Sequence, residues 1–137
     1  MTERRKGSFS FYLQIVILLA VLLVISTVLV RVFAAAQMLR RETEARNDAA
    51  EICRSAAEAF SSCGTADGTI RLMGGSGGDT LRLDRSLQAA QDGCYTLTVT
   101  VTAQPRGAGE LARAALCVTD AGGAALAQLD TEKYLPQ

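Results

Sequence analysis

Three hydropathy patterns follow one another along the chain. From Phe9 to Val30 the sequence reads FSFYLQIVILLAVLLVISTVLV, with no charged residue. About 20 apolar residues at 1.5 Å rise cross a hydrocarbon core roughly 30 Å thick. In lipid each backbone amide needs a partner inside its own segment, so a lone span is a helix. From Val32 to Ser61 there is neither proline nor glycine, and Ala, Leu, Arg, Glu and Gln are strong helix formers. Ala45, Ala49, Ile52, Cys53, Ala56, Phe60 and Cys63 fall at helical spacings and predict one apolar face. Arg40, Glu44, Asp48, Glu51, Arg54 and Glu58 are assigned to the other side. The apolar stripe is read as a core face rather than a coiled-coil seam, since alanine-rich seams are weak. Gly64 is placed to cap the helix.

After a turn-rich link, Cys63 to Gly68, the period becomes two. Thr69–Met73 and Asp79–Leu83 are expected as short strands joined by the glycine loop Gly74–Gly78. That loop lacks the G-K-[ST] and following helix of a phosphate loop. Ser86 to Gln91 is ambiguous, with a helical turn one option, and Asp92-Gly93 signals a turn. Tyr95, Leu97, Val99 and Val101 alternate with threonines, the pattern of a half-buried antiparallel strand. Pro105 to Gly109 is expected as a loop and Leu111 to Thr119 as a strand. Asp120 to Gly123 forms a hairpin turn, and the chain returns from Ala124 to Asp130. The class expected is α+β: a long N-terminal helix packed on a small antiparallel sheet. Its parts are a basic leader (1–8), a transmembrane helix (9–31), an amphipathic stalk (32–63) and a β-rich head (64–137).

Composition narrows the chemistry. The chain has 137 residues, no His, no Trp and a formal net charge of zero. Without His, the commonest general base and metal ligand is missing. Balanced charge argues against a nucleic-acid partner. Asp84, Asp92, Glu110 and Asp120 are scattered carboxylates read as solvated turn residues, and no nucleophile has a base beside it in sequence. Neither an enzyme nor a cofactor is expected.

Arg4, Arg5 and Lys6 precede the span, and excess cation marks the cytoplasmic flank. The expected topology is a single pass in the cell membrane, N-terminus inside and head outside. Arg31, Arg40 and Arg41 weaken that asymmetry. The run exceeds the 7 to 15 residues of a signal-peptide core, so a retained anchor is preferred to cleavage near Ala36. Outside the cell, Cys53, Cys63, Cys94 and Cys117 could form two disulfides with three possible connectivities. The expectation is that Cys53 and Cys63 bridge to Cys94 and Cys117, since ten helical residues separate the first two by about 15 Å. No C-x-x-C occurs, which argues against zinc.

The Lys6-Gly7 junction, the hydrophobic run, the Ala-rich continuing helix (Asn47–Ile52, Ser55–Phe60) and the small sheet resemble the type IV pilin and pseudopilin superfamily. The chain is most similar to the small pilin-like membrane proteins of Gram-positive anaerobes. The resemblance covers the first half; the head matches by pattern only. It implies processing by a prepilin peptidase after Gly7, leaving Ser8 first, and packing among other pilin-like subunits through the helix. The family's fifth mature residue is usually Glu; here it is Tyr12, and the nearest polar residue is Gln14. That departure suits a minor or assembly-initiating subunit of a type IV pilus or type II secretion-like machine. The alternative is a membrane-anchored extracellular binding module with no filament role.

Overall fold

The computed structural model describes the backbone of residues 2–136 and the side chains of 7 and 9–136. Helix α1 runs Thr2–Cys63 without a break. Gly64 stops it: the residue adopts φ +74°, and its N–H donates to the Phe60 carbonyl at 2.7 Å. A side chain at a left-handed position would be strained, which is why a glycine stands there.

A second helix, α2 (Ala66–Leu72), follows at once. The strand expected over Thr69–Met73 does not exist, nor does its hairpin with the later strand. Local capping explains the difference. Thr65 is the N-cap, and its hydroxyl accepts from the Gly68 N–H at 3.2 Å. Asp67 lies in the first turn and pairs with Arg71 one turn later at 2.8 Å. The apparent alternation of Ile70 and Leu72 is too short to outweigh a cap and an i,i+4 pair.

Four strands form one antiparallel meander in the order β1-β2-β3-β4: β1 Thr80–Leu83, β2 Tyr95–Arg106, β3 Gly109–Asp120 and β4 Ala125–Pro136. The long strands exceed their expected lengths. The predicted loop Pro105–Gly109 shrinks to two residues, with Gly107 at φ +64° making the tight turn. Pro105 is tolerated inside β2 because β1 pairs only with Tyr95–Thr98, leaving that edge open where a missing N–H costs nothing. β4 likewise continues past Asp130 to Pro136, paired with β3 throughout. Between β1 and β2 the chain makes turns; Asp84 organises the first, accepting from the Ser86 N–H at 2.8 Å and the Gln88 N–H at 3.0 Å. At Gly93 a Cβ would meet the Leu83 backbone at 2.5 Å, so the turn there admits only glycine.

The chain divides into two compact units, Met1–Glu42 and Thr43–Gln137. In the second, the end of α1 packs on one face of the sheet. Ala49, Ile52, Cys53 and Ala56 meet Leu81, Leu83, Tyr95, Leu97, Val99, Leu116 and Val118 in one buried cluster. Phe60 forms a second with Ala112 and Ala114. The helical face read from the spacing is the face that is buried. Asp48 is the exception on the polar side: it is half-buried at the rim of this interface.

Candidate functional site

The most conspicuous surface belongs to the first unit. The apolar residues of Phe9–Leu39 have no covering. Phe9 is 73% exposed, Leu18 70% and Val30 68%. Isolated exposed apolar residues are ordinary in a water-soluble protein, but a continuous sleeve of this size is not. The segment has a mean hydropathy of 3.0 over 18 residues, and none of that window is buried. One helix is therefore long and apolar enough to cross a membrane. Thr27 is adapted to such surroundings: its hydroxyl donates to the Leu23 carbonyl at 2.8 Å, one turn back along the same helix. Gln14 has no such partner among the described residues, and its amide stands exposed in the apolar sleeve. Tyr12 is 66% exposed. Gly7 has open space around it. Of the processing candidates, the side chains of Lys6 and Ser8 lie outside the described residues.

The head contributes polar geometry that the sequence reading missed. The Tyr95 hydroxyl donates to Asp48 Oδ2 at 2.9 Å, joining β2 to α1. Burial pushes the Tyr95 phenol up, and the neighbouring Asp48 carboxylate adds to the rise, bringing it to about 12. The available signal was Tyr95 at the first inward position of β2, opposite a carboxylate flanking the helical apolar face. At the other end of the same helical segment, Lys133 Nζ on β4 donates to the Ser62 carbonyl at 3.1 Å. Helix α1 has no basic residue in its own last turn, so β4 supplies the cation that favours a helix C-terminus.

The four cysteines are free, and the expected bridges do not form. Strand alternation is the cause. Leu116 and Val118 face α1, so Cys117 between them lies on the opposite face of β3, with the sheet between it and Cys53. Cys53 is buried against the sheet, which pushes its thiol above the ordinary value. Cys63 is held locally, with its sulfur 3.2 Å from the Ala59 carbonyl and 3.4 Å from Thr69 Oγ1. Cys94 packs at the edge of the main cluster.

Carboxylates at element ends hold the adjoining turns, while Glu110, expected in a turn, lies on β3. Asp120 Oδ1 accepts from the N–H groups of Gly122 and Ala124, both at 2.9 Å, and Asp67 Oδ1 accepts from the Gly78 N–H at 2.9 Å. Among the described residues no group of three or more Cys, Asp or Glu side chains is placed to hold a metal ion. An open groove beside β1, about 390 Å³, is lined by Gly74, Gly75, Arg82 and Gln91 among others. Arg82 is the cation at that groove, and its Nη1 already donates to the Gln91 carbonyl at 3.3 Å. Comparison of the chain with family models, curated proteins and solved structures finds no match.

Proposed function

We propose that this protein is a non-enzymatic, single-pass, pilin-like subunit anchored in the cell membrane. Its N-terminus lies in the cytoplasm and its head outside. The observation that carries this is the uncovered apolar sleeve of α1, belonging to a helix that runs on from Phe9 to the head-packing residues without interruption. Burial in lipid removes that surface from water at roughly 25 cal/mol per Å². Arg4, Arg5 and Lys6 set the orientation. The Lys6-Gly7 junction supplies a prepilin-peptidase site, and the mature helix packs with like helices in a pilus or secretion machine.

Mass spectrometry of the native N-terminus tests this. A chain beginning at Ser8, recovered in the detergent-soluble membrane fraction, supports the proposal. An intact Met1 or a start near Gln37 argues against it. Tyr12 favours a second reading. It places a phenol where filament-forming relatives usually carry a carboxylate, and a subunit without that charge fits a membrane-anchored binding module. Cross-linking in membranes separates the two: helix-to-helix products support the subunit, and their absence supports the module.

A further inference from the structure

We propose that α1 carries a phospholipid site, in which Arg31 holds the lipid phosphate and the groove beside it takes an acyl chain. This rests on the membrane-anchored reading above and gives that helix a lipid partner. Arg31 is the one charged residue between Gly7 and Leu39. Its side chain is exposed and has no hydrogen bond or ion pair among the described residues. Length fixes its depth. The apolar sleeve Phe9–Leu39 measures about 45 Å along the axis, half as long again as a hydrocarbon core of roughly 30 Å. Burying all of it would need a tilt of about 50°, outside the roughly 0–40° of spanning helices. It would also put the Arg31 guanidinium in hydrocarbon, where a charge is expensive. Phe9 and Arg31 are about 33 Å apart. With Phe9 at one face of the core, Arg31 stands at the other, among the phosphates.

A guanidinium at that depth meets one abundant acceptor, and its planar fork matches two phosphate oxygens. The helix also has a place for the rest of the lipid. Leu23, Val24, Thr27, Val28 and Arg31 line a shallow groove of about 320 Å³. Spacings of three and four put them on one face, with Arg31 at its C-terminal end. The Thr27 hydroxyl is already donated to the Leu23 carbonyl, so the groove offers methylenes an apolar wall and keeps Arg31 as its one charged group. Cation and wall together match a phosphate joined to an acyl chain; a free phosphate would leave the wall bare. An anionic phospholipid is favoured over phosphatidylcholine, whose own choline neutralises the phosphate.

The test uses the full chain in phosphatidylcholine vesicles doped with phosphatidylglycerol that carries a photoreactive group near the top of one acyl chain. Flotation controls for anchoring, and mass spectrometry maps the adducts. In the wild type the adducts concentrate on residues 23–28. Arg31→Gln lowers their yield about 5-fold, the effect of one cation on an anionic lipid. Arg31→Lys, which keeps the charge, retains most of the yield. The same photoreactive chain under a choline headgroup labels the wild type less, and added inorganic phosphate changes nothing. All three proteins float with the vesicles. Equal yields from wild type and Arg31→Gln, or adducts spread evenly around the helix, overturn the proposal while leaving anchoring intact. Displacement by inorganic phosphate does the same, and means that the site takes a free anion. A wild type that fails to float overturns anchoring and the proposal together.

Discussion

Replacing Tyr95 by Phe tests the polar link between α1 and the sheet. The substitution keeps the ring, which is 7% exposed in the main cluster, and deletes only the hydroxyl that donates to Asp48 at 2.9 Å. Hydrogen bonds to charged groups contribute about 1.5–3 kcal/mol. Asp48 is half-exposed, so water replaces part of the lost bond, and a loss of about 1–1.5 kcal/mol is expected at pH 7. The pH dependence is more specific. The phenol's value rises from 10 to about 12, first through burial and then through Asp48, with Arg85 pulling slightly the other way. A raised value means that the folded state holds the proton more tightly than the unfolded one. The stabilisation is thus fully present below about pH 10 and is lost as pH rises through about 12. Two units correspond to an upper limit of about 2.7 kcal/mol.

The assay is thermal unfolding of the full chain in detergent, followed by circular dichroism, for both proteins between pH 7 and 12. Taking the difference between them cancels the titration of every other group. That difference should be constant to about pH 10 and fall above it, reaching zero and then favouring Tyr95→Phe as the linked loss overtakes the roughly 1–1.5 kcal/mol present at pH 7. Ultraviolet titration of the three tyrosines should show a late phase near 12 that Tyr95→Phe removes. A late phase that survives the substitution, or a stability difference that does not change above pH 10, would refute the assignment.

Three further outcomes follow from the packing. Phe60→Ala should cost about 3–5 kcal/mol, because Phe60 is fully buried against Ala112 and Ala114, which cannot close the cavity; a loss below 1 kcal/mol in denaturant unfolding contradicts that. Thr65→Ala removes the α2 cap and should destabilise the head by about 1 kcal/mol, with amide exchange accelerating in Ala66–Leu72 first. Thiol titration of the unreduced, denatured protein should count four reactive groups, as all four cysteines are free; two or fewer would restore the disulfide pairing.

Features of long period were legible in the sequence. The apolar run, the helical stripe ending at Gly64 and the alternation of Tyr95–Val101 repeat over enough residues to outweigh any single side chain. The misread elements are short. Thr69–Met73 spans five residues, too few to separate a period of two from one turn of helix, and the Thr65 cap decided it. The disulfide expectation failed for a different reason. It needed to know which face of β3 is covered, and alternation alone leaves both faces of Leu111–Thr119 apolar enough. Asp48 was misplaced because a residue beside the stripe sits at its rim once the sheet, wider than one helix, covers it.

The alanine-rich interface of the head explains why its polar contacts stand where they do. Ala49 and Ala56 on α1 let the helix approach closely, and Ala112 and Ala114 leave room beneath Phe60. Small residues give close approach without interlocking, so such an interface resists separation better than it resists rotation or sliding. A helix turned by one residue moves by about 100°, and several alanines would still find contact. Asp48 to Tyr95 and Ser62 to Lys133 remove that freedom. They tie the helical segment to β2 at one end and β4 at the other, fourteen residues or about 21 Å apart. Rotating the segment would break both ties together, and sliding it by one turn would leave Asp48 and the Tyr95 hydroxyl without each other. The two bonds therefore act less as sources of stability than as the features that select one seating of the helix among several of similar apolar contact.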